Sequence, residues 1–437
     1  MKSIKVKLYI NHYQSIVLNT LSNEHRLLYN HLLSFVKIDF NFKQLNEQYK
    51  FFKSSNNLTI QSKPAQNTCR RLINSIKSFY KLHKKDKAYK FPYKFKSWKY
   101  FTTMEFDWNN GGGGFSLNDN VLEIFLEHNG KKFHKNLVIE LPEYCNIITK
   151  DNVKTLQILK EDNNYFAIFT YKESKKEIII KHEKIIAIDP GLSSILTIYN
   201  PVDNEAIEIK NNQFHKKISK QIEIIQSKRD KKKRGSIQHK KFAKLYKRVF
   251  KKLSNKNKDF QHKLSRQIVN LCVNKDVTKV IYGDIKTKNL VINDMNCKES
   301  KKENIEKNSR LKAKEHGLNK STQNQGSLSR FKTFVEYKIK NEGIEFVKQN
   351  ESFTTQINCL TNKLFDNKIK LSNRLVTLTK DLCISRDVNA AINIYVKNLG
   401  KPIVKGEWLA HIKMLKSYEM LLDIFSNELI LNKVKIA

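Results

Sequence analysis

Residues 1–18 alternate apolar and polar side chains, the period-two pattern of a strand with one buried face. From about Leu21 to Lys84 the apolar spacing changes to three and four, and EHRLLYNHLLSFV and NTCRRLINSIKSFYKLH carry the clearest helical stripes. The segment YKFPYKFKSWKYFTTMEFDW then sets Lys against Phe, Tyr and Trp at near-alternate positions. It stops at Asn109–Gly114, which holds four of the 13 glycines and predicts a flexible turn. Strand-like runs return at FSLNDNVLEIFL, LVIELP, TLQILKE and YFAIFTYKE. Residues 1–180 therefore read as a β-rich body with a helical insertion at about 20–85.

Past about Lys184 the pattern differs. KIIAIDPG and SILTIYN predict a strand hairpin, and a basic helical stretch runs from Lys216 to Asn274. VTKVIYGD is almost continuously apolar, as a buried strand is. Residues 296–328 are polar and charged and read as a mobile connection. RFKTFVEYKIKNEG predicts a helix closed by Gly343, IEFVKQ a strand, and DVNAAINIYVKNLG a helix begun by Asp387 and stopped by Gly400. Strands alternating with helices in this order predict an RNase H-like mixed sheet over 181–400. The fold class expected is thus α+β and multidomain. The remainder, 401–437, contains WLAHIKMLKSYEMLLDIF, whose helical stripe predicts a helical tail packed on the core.

Charge changes the picture next. The chain has 437 residues, room for two or three domains, and 82 Lys+Arg against 42 Asp+Glu give a formal net charge of +40. Polyphosphate is the partner such a surplus implies. A coding bias toward Lys and Asn explains their abundance but not the deficit of acids. Six cysteines (Cys69, Cys145, Cys272, Cys297, Cys359, Cys383) are scattered without a CxxC pair, so neither a disulfide framework nor an intact zinc signature is present. There is no apolar leader-like core near the start and no 18-residue apolar run, which predicts a soluble, intracellular protein with no membrane partner.

Four acids sit where strands end or helices begin: Asp189, Asp284, Glu351 and Asp387. Spread over about two hundred residues, they can converge only in a folded core, and converging carboxylates are what a divalent-metal phosphodiester site needs. Each has a plainer reading. Asp189 in Asp-Pro-Gly is a common turn initiator, and Asp387 as an N-cap would stabilise its helix by about 1 kcal/mol without any chemistry. A helix N-terminus also favours an ionised carboxylate, so capping and metal binding are compatible. In the basic run, Lys231, Lys232, Lys233, Arg234, Lys240, Lys241, Lys244, Lys247 and Arg248 are candidates for phosphate contact or simply a solvated face. The interleaved Phe242, Leu245, Tyr246, Val249, Phe250 and Leu253 give that helix a packing stripe. Lys94 and Lys96 lie among aromatics that either stack bases or belong to the β core. A metal-dependent nuclease joins these facts.

FPYKFKSWKYFTTMEF, DFQHKLSRQIV (Asp259 to Val269) and SRDVNAAINI, in this order, resemble segments of the transposon-encoded TnpB (OrfB) family, relatives of type V CRISPR effectors and of Fanzor proteins. The resemblance implies a transposon-associated, RNA-guided DNA endonuclease with a RuvC-type (RNase H-like) core dependent on Mg²⁺ or Mn²⁺. It makes 1–180 a β-rich wedge domain with a helical recognition insertion. It makes 181–400 the nuclease domain, interrupted at 354–385 by a zinc-ribbon-like insertion. The implied partners are a guide RNA from the transposon end and a double-stranded DNA target with a short flanking motif. Two departures stand out. Many relatives have Glu-Asp-Leu where this chain has Gly283-Asp284-Ile285; a second class has Gly-Asp there and places its Glu just before a Thr-Ser-x-x-Cys segment, where NESFTTQINC puts Glu351. Asp189, Glu351 and Asp387 are then the expected catalytic, metal-holding acids, with Asp284 a secondary candidate beside them. The family's four zinc cysteines match Asn358, Thr361, Thr377 and Lys380, while Cys359 and Cys383 lie off register, so zinc is expected to be absent and the ribbon loose or truncated. Loss of that metal would lower or abolish cleavage, leaving an RNA-guided DNA-binding protein or an inactive remnant as alternatives.

Overall fold

The structure, a computed structural model, describes residues 1–36, 42–85, 87, 91, 94–108, 114–128, 131–132, 136–172, 183–191, 194–210, 214–284, 328–369, 373–400, 405–423 and 426–436. The chain divides into two compact units, Met1–Ser174 and Lys175–Ala437. Asn109 to Gly113, and 296–327 of the expected connection, lie outside the described residues. None of the described helices is long and apolar enough to cross a membrane.

The first unit opens with β1 (Lys2–Leu8) and three helices, α1 (His12–Ser34), α2 (Phe42–Ser55) and α3 (Ser62–Lys85). A capping box starts α1: Asn11 accepts from the Gln14 amide while the Gln14 side chain accepts from the Asn11 amide. The strands β2 (Met104–Asp107), β3 (Phe115–Asn118), β4 (Val121–Ile124), β5 (Glu127–His128), β6 (Lys131–Lys132), β7 (Leu137–Glu140), β8 (Val153–Glu161) and β9 (Asn164–Tyr171) follow. They form sheets of order β1-β9-β8-β2, β3-β4-β7 and β5-β6. The β8–β9 hairpin turns on Asp162 and Asn163, both at positive φ (47° and 72°), the backbone a two-residue turn requires. Val6, Phe106, Leu122, Ile139, Leu156 and Phe169 anchor the sheet core, and α1–α3 bury a separate cluster around Leu28, Leu45 and Leu72. The aromatic segment is divided between core and surface. Phe101 and Trp108 pack on the sheet core, whereas Phe95, Trp98 and Tyr100 are exposed.

The second unit is built on a seven-stranded mixed sheet. Its strands are β10 (Ile185–Pro190), β11 (Ser194–Asn200), β12 (Glu205–Lys210), β13 (Lys279–Gly283), β14 (Glu345–Gln349), β19 (Lys416–Leu422) and β20 (Leu429–Ile436), in the order β14-β13-β10-β11-β12-β19-β20. β10, β11 and β12 are antiparallel neighbours, while β13 and β14 run parallel to β10. Between β12 and β13 lie α4 (Phe214–Asp230) and α5 (Ile237–Asn274); α6 (Leu328–Asn341) precedes β14. Phe260, Leu264 and Ile268 of α5 and Phe331, Val335 and Ile339 of α6 cover Ile186, Ile188, Val280 and Phe346 of the sheet. Two small hairpins follow, β15 (Ile357–Asn358) with β16 (Lys363–Leu364) and β17 (Leu375–Thr379) with β18 (Leu382–Ser385), then α7 (Arg386–Leu399) and α8 (Lys405–Lys413).

Three expectations change. The strand read over residues 1–18 ends at Leu8, and α1 already begins at His12, capped by Asn11. The basic stretch is a helical hairpin, because Gly235 takes φ 90° and Ser236 caps α5 by accepting from the His239 amide. Among the described residues the tail is helical only over α8. Tyr418, Met420 and Leu422 also sit at alternate positions, and as β19 they pack on the sheet core while the backbone pairs with the edge of β12. A helical stripe and a strand alternation overlap in that stretch, and the open sheet edge selects the strand.

Candidate active site

β10 carries Asp189 as its penultimate residue, behind the buried run Ile186, Ala187 and Ile188. β13 and β14 run beside it in parallel register, Ile188 opposite Tyr282 and Gly283 opposite Gln349, so Asp189, Gly283-Asp284 and the chain leading to Glu351 emerge at the same edge of the sheet. Helix α7 lies over this face, with Ile394 packed against Ala187 and Ile281, and its first turn supplies Asp387. Asp387 is not the N-cap expected from the sequence. Ser385 occupies that position, and Arg386 approaches Asp387 Oδ1 at 3.4 Å.

Gly283 explains the placing of Glu351. A Cβ built on Gly283 would lie 2.8 Å from Glu351 Oε2, 2.9 Å from Ile394 Cδ1 and 3.1 Å from Pro190 Cδ. The carboxylate of Glu351 thus borders the space that any other residue at 283 would fill. Asp284 is engaged elsewhere: it forms an ion pair with Lys332 of α6, and its amide donates to Gln349 at 2.8 Å.

The electrostatics tie the acids together. Asp189 keeps some solvent access, yet desolvation raises its carboxyl well above the ordinary range, and the charges of Glu351 and Asp387 raise it further against an opposing Arg386. Burial, then Asp284, pushes Glu351 up to about 7, with Lys332 opposing. Mutually repelling carboxylates in a partly dry site are the electrostatic condition that a cation relieves. Among the described residues no group of three or more His, Cys, Asp or Glu is close enough to hold an ion as it stands. The donor chemistry nevertheless fits a hard divalent ion: the groups are oxygen-only, and Glu351 Oε2 is buried without a hydrogen-bond partner.

Sequence reasoning missed two asparagines that hold this arrangement. Asn389 and Asn393, one turn apart on α7 and almost wholly buried, donate to the carbonyls of Ile357 (2.8 and 2.7 Å) and Thr354 (3.4 and 2.8 Å). Thr354 in turn donates its hydroxyl to the Glu351 carbonyl at 2.9 Å. The chain after Glu351 is therefore lashed to the helix that carries Asp387. The available signal was two amides at i and i+4 on an otherwise apolar helix face.

The basic candidates lie away from these acids in sequence. Lys231, Lys232, Lys233 and Arg234 form the α4–α5 turn, and Lys240, Lys241, Lys244, Lys247 and Arg248 follow on α5; all are exposed. Lys94 is exposed, whereas Lys96 is pinned: Asn30 bonds both its amide (2.8 Å) and its carbonyl (3.0 Å), and its ammonium lies 4.0 Å from the Tyr29 ring centre.

Comparison with known proteins follows the same geography. Residues 169–289, spanning β10 to β13, match the OrfB_IS605 family, described as a probable transposase. Residues 329–394, from α6 to Ile394 of α7, match the Cas12f1-like TNB domain. Two TnpB-like proteins of Acanthamoeba polyphaga mimivirus, L770 and R854, are each 28% identical over 254 residues, or 57% of this chain and 44% and 43% of their own lengths. The match thus spans under half of these relatives. In a solved structure, the cryo-EM structure of a Cas12f1–sgRNA–target DNA complex, the protein chain shares the fold, with a TM-score of 0.60 at 14% identity over 88% of this chain and 83% of that one. The two family matches, in chain order, and the TnpB-like relatives support a protein similar to the TnpB (OrfB) family, and the Cas12f1 chain shares its fold.

Proposed function

We propose that this protein is an RNA-guided, Mg²⁺-dependent DNA endonuclease whose catalytic acids are Asp189, Glu351 and Asp387. The observation that carries this reading is the seating of Glu351 against Gly283, beside the strand of Asp189 and lashed to the helix of Asp387. The three carboxylates would hold Mg²⁺ or Mn²⁺, which when bound supplies the charge that activates water and stabilises the leaving 3′ oxygen. The protein's part is to keep those oxygens in place, to neutralise Asp284 with Lys332, and to offer exposed lysines to backbone phosphates. Sequence specificity would come from a guide RNA paired with the DNA target, as in RNA-guided effectors generally. The RNA and DNA named for the Cas12f1 complex support those partners here.

The test is a co-expressed ribonucleoprotein challenged with a guide-matched plasmid in Mg²⁺. Wild type should cut, and Asp189→Ala should bind the target with unchanged affinity and not cut. A second reading, guided binding without cleavage, draws on the lack of a ready-made ligand cage among the described residues. It takes over if wild type binds guide and target tightly and never cuts.

A further inference from the structure

The hairpins β15–β16 and β17–β18 stand where the family carries its zinc ribbon, and the residues present do not fit zinc. A structural zinc needs four thiolate or imidazole ligands closed around it. Residues 354–385 contain no histidine and two cysteines. Cys359 is 3% exposed within an apolar cluster with Val376, Leu378, Leu382 and Ile384, and burial pushes its thiol up to about 12, so it is no thiolate. Cys383 is exposed, its sulfur 3.4 Å from the Thr377 hydroxyl.

Nor are the described residues of this segment loose. Asn358, at the first of the four positions where relatives have cysteine, donates its side chain to the Leu378 carbonyl at 3.0 Å and accepts from the Leu360 amide at 2.9 Å. Leu378 follows Thr377, the third of those positions, so one buried amide spans both hairpins. Gln356 closes the intervening loop by bonding both the amide (2.9 Å) and the carbonyl (3.0 Å) of Ile369. Asn389 accepts from the Cys359 amide at 3.1 Å while it and Asn393 hold the Thr354 and Ile357 carbonyls from below. The Trp408 indole donates to the Cys359 carbonyl at 3.1 Å. Gln356, Asn358 and Asn389 are bonded through both the oxygen and the nitrogen of their amides, and Asn393 through its nitrogen, its buried Oδ1 having no partner. Hydrogen bonds held in a low-dielectric surround are how such a network rigidifies a fold.

We infer that Asn358, Asn389 and Asn393 are positioning residues that replace zinc as the brace of this ribbon and, through Thr354, set Glu351 against the helix of Asp387. The role of Glu351 rests on the catalytic reading above; the metal-free brace does not. It follows that ribbon order is indifferent to zinc chelators and depends on these amides instead.

The experiment uses the full chain, wild type and the variants Asn358→Leu, Asn358→Asp and Asn393→Asp. Metal content is measured by mass spectrometry, and hydrogen exchange over 354–385 is followed with and without a zinc-selective chelator. Wild type should carry substoichiometric zinc and show exchange unchanged by chelator. Asn358→Leu and Asn358→Asp should speed exchange in that segment by about tenfold, the scale of one lost buried hydrogen bond, and leave Met1–Ser174 unchanged. Asn393→Asp should raise the Mn²⁺ concentration needed for half-saturation, read by paramagnetic relaxation of water, which a purely structural role leaves alone. Stoichiometric zinc, chelator-induced exchange in wild type, or unchanged exchange in both Asn358 variants overturns the brace. An unaltered Mn²⁺ titration in Asn393→Asp overturns the positioning role. A wild type that never cuts but keeps this exchange pattern sinks the catalytic reading alone.

Discussion

A methyl group at position 283 would sit 2.8 Å from Glu351 Oε2 and 2.9 Å from Ile394, inside van der Waals contact with both. Gly283→Ala should therefore push the carboxylate away and slow cleavage by more than tenfold, above about 1.4 kcal/mol of barrier, while guide binding is kept. Single-turnover cleavage beside an RNA-binding assay checks this. A second residue sets an acid limit on the first unit. His25 is 2% exposed, bonded at Nδ1 to the Thr68 hydroxyl (3.0 Å), and lowered to about 3 by burial, with Lys96 and Arg71 adding to the shift. The fold holds it neutral, whereas the unfolded chain protonates it near 6.5. Its contribution is whole above that value and declines as pH falls toward 3, by a few kcal/mol, so acidification from about 6 to 4 should lower the melting temperature of wild type more than that of His25→Gln. At this scale Asp189, Glu351 and Asp387 were visible as acids at element ends. Asn389 and Asn393 were not, because their partners are carbonyls some 30 residues away in the chain, which no local pattern reveals.

Among the elements, the strands and helices with one clean period were legible: the β10–β11 hairpin, the apolar β13, and α6 and α7 with Gly343 and Gly400 at positive φ after them. Where two periods overlap, as at Tyr418 to Leu422, the sequence is ambiguous and an unpaired edge decides. The aromatic segment before β2 divides the same way, Phe101 and Trp108 to the core and Phe95, Trp98 and Tyr100 to the surface. Trp98 is 75% exposed beside Lys99, whose ammonium lies 5.9 Å from its ring. If the segment stacks unpaired bases, Trp98→Ala should weaken guide-RNA binding about tenfold, within the 1–3 kcal/mol range of one stacked base. Filter binding under matched salt checks it; unchanged affinity would assign the aromatics to another purpose.

Across the whole molecule, a charge of +40 makes phosphate neutralisation the largest long-range term in any nucleic-acid complex. Replacing Lys240, Lys241 and Lys244 with Gln should lower the slope of log affinity against log salt by up to about three, less if some of these lysines face only solvent. The mixed sheet and the order of its acids were legible because each strand carries its own burial pattern. The segment 354–385 reads from sequence as loose or truncated because the four cysteines are missing, while the amides that bond across it look like ordinary polar residues. The most direct test of the account is guide-dependent plasmid cleavage by Glu351→Ala and Asp284→Ala side by side in Mg²⁺. It predicts that cutting disappears with Glu351→Ala and persists with Asp284→Ala. Cleavage that survives loss of Glu351 but not of Asp284 would contradict it, returning the catalytic role to the end of β13.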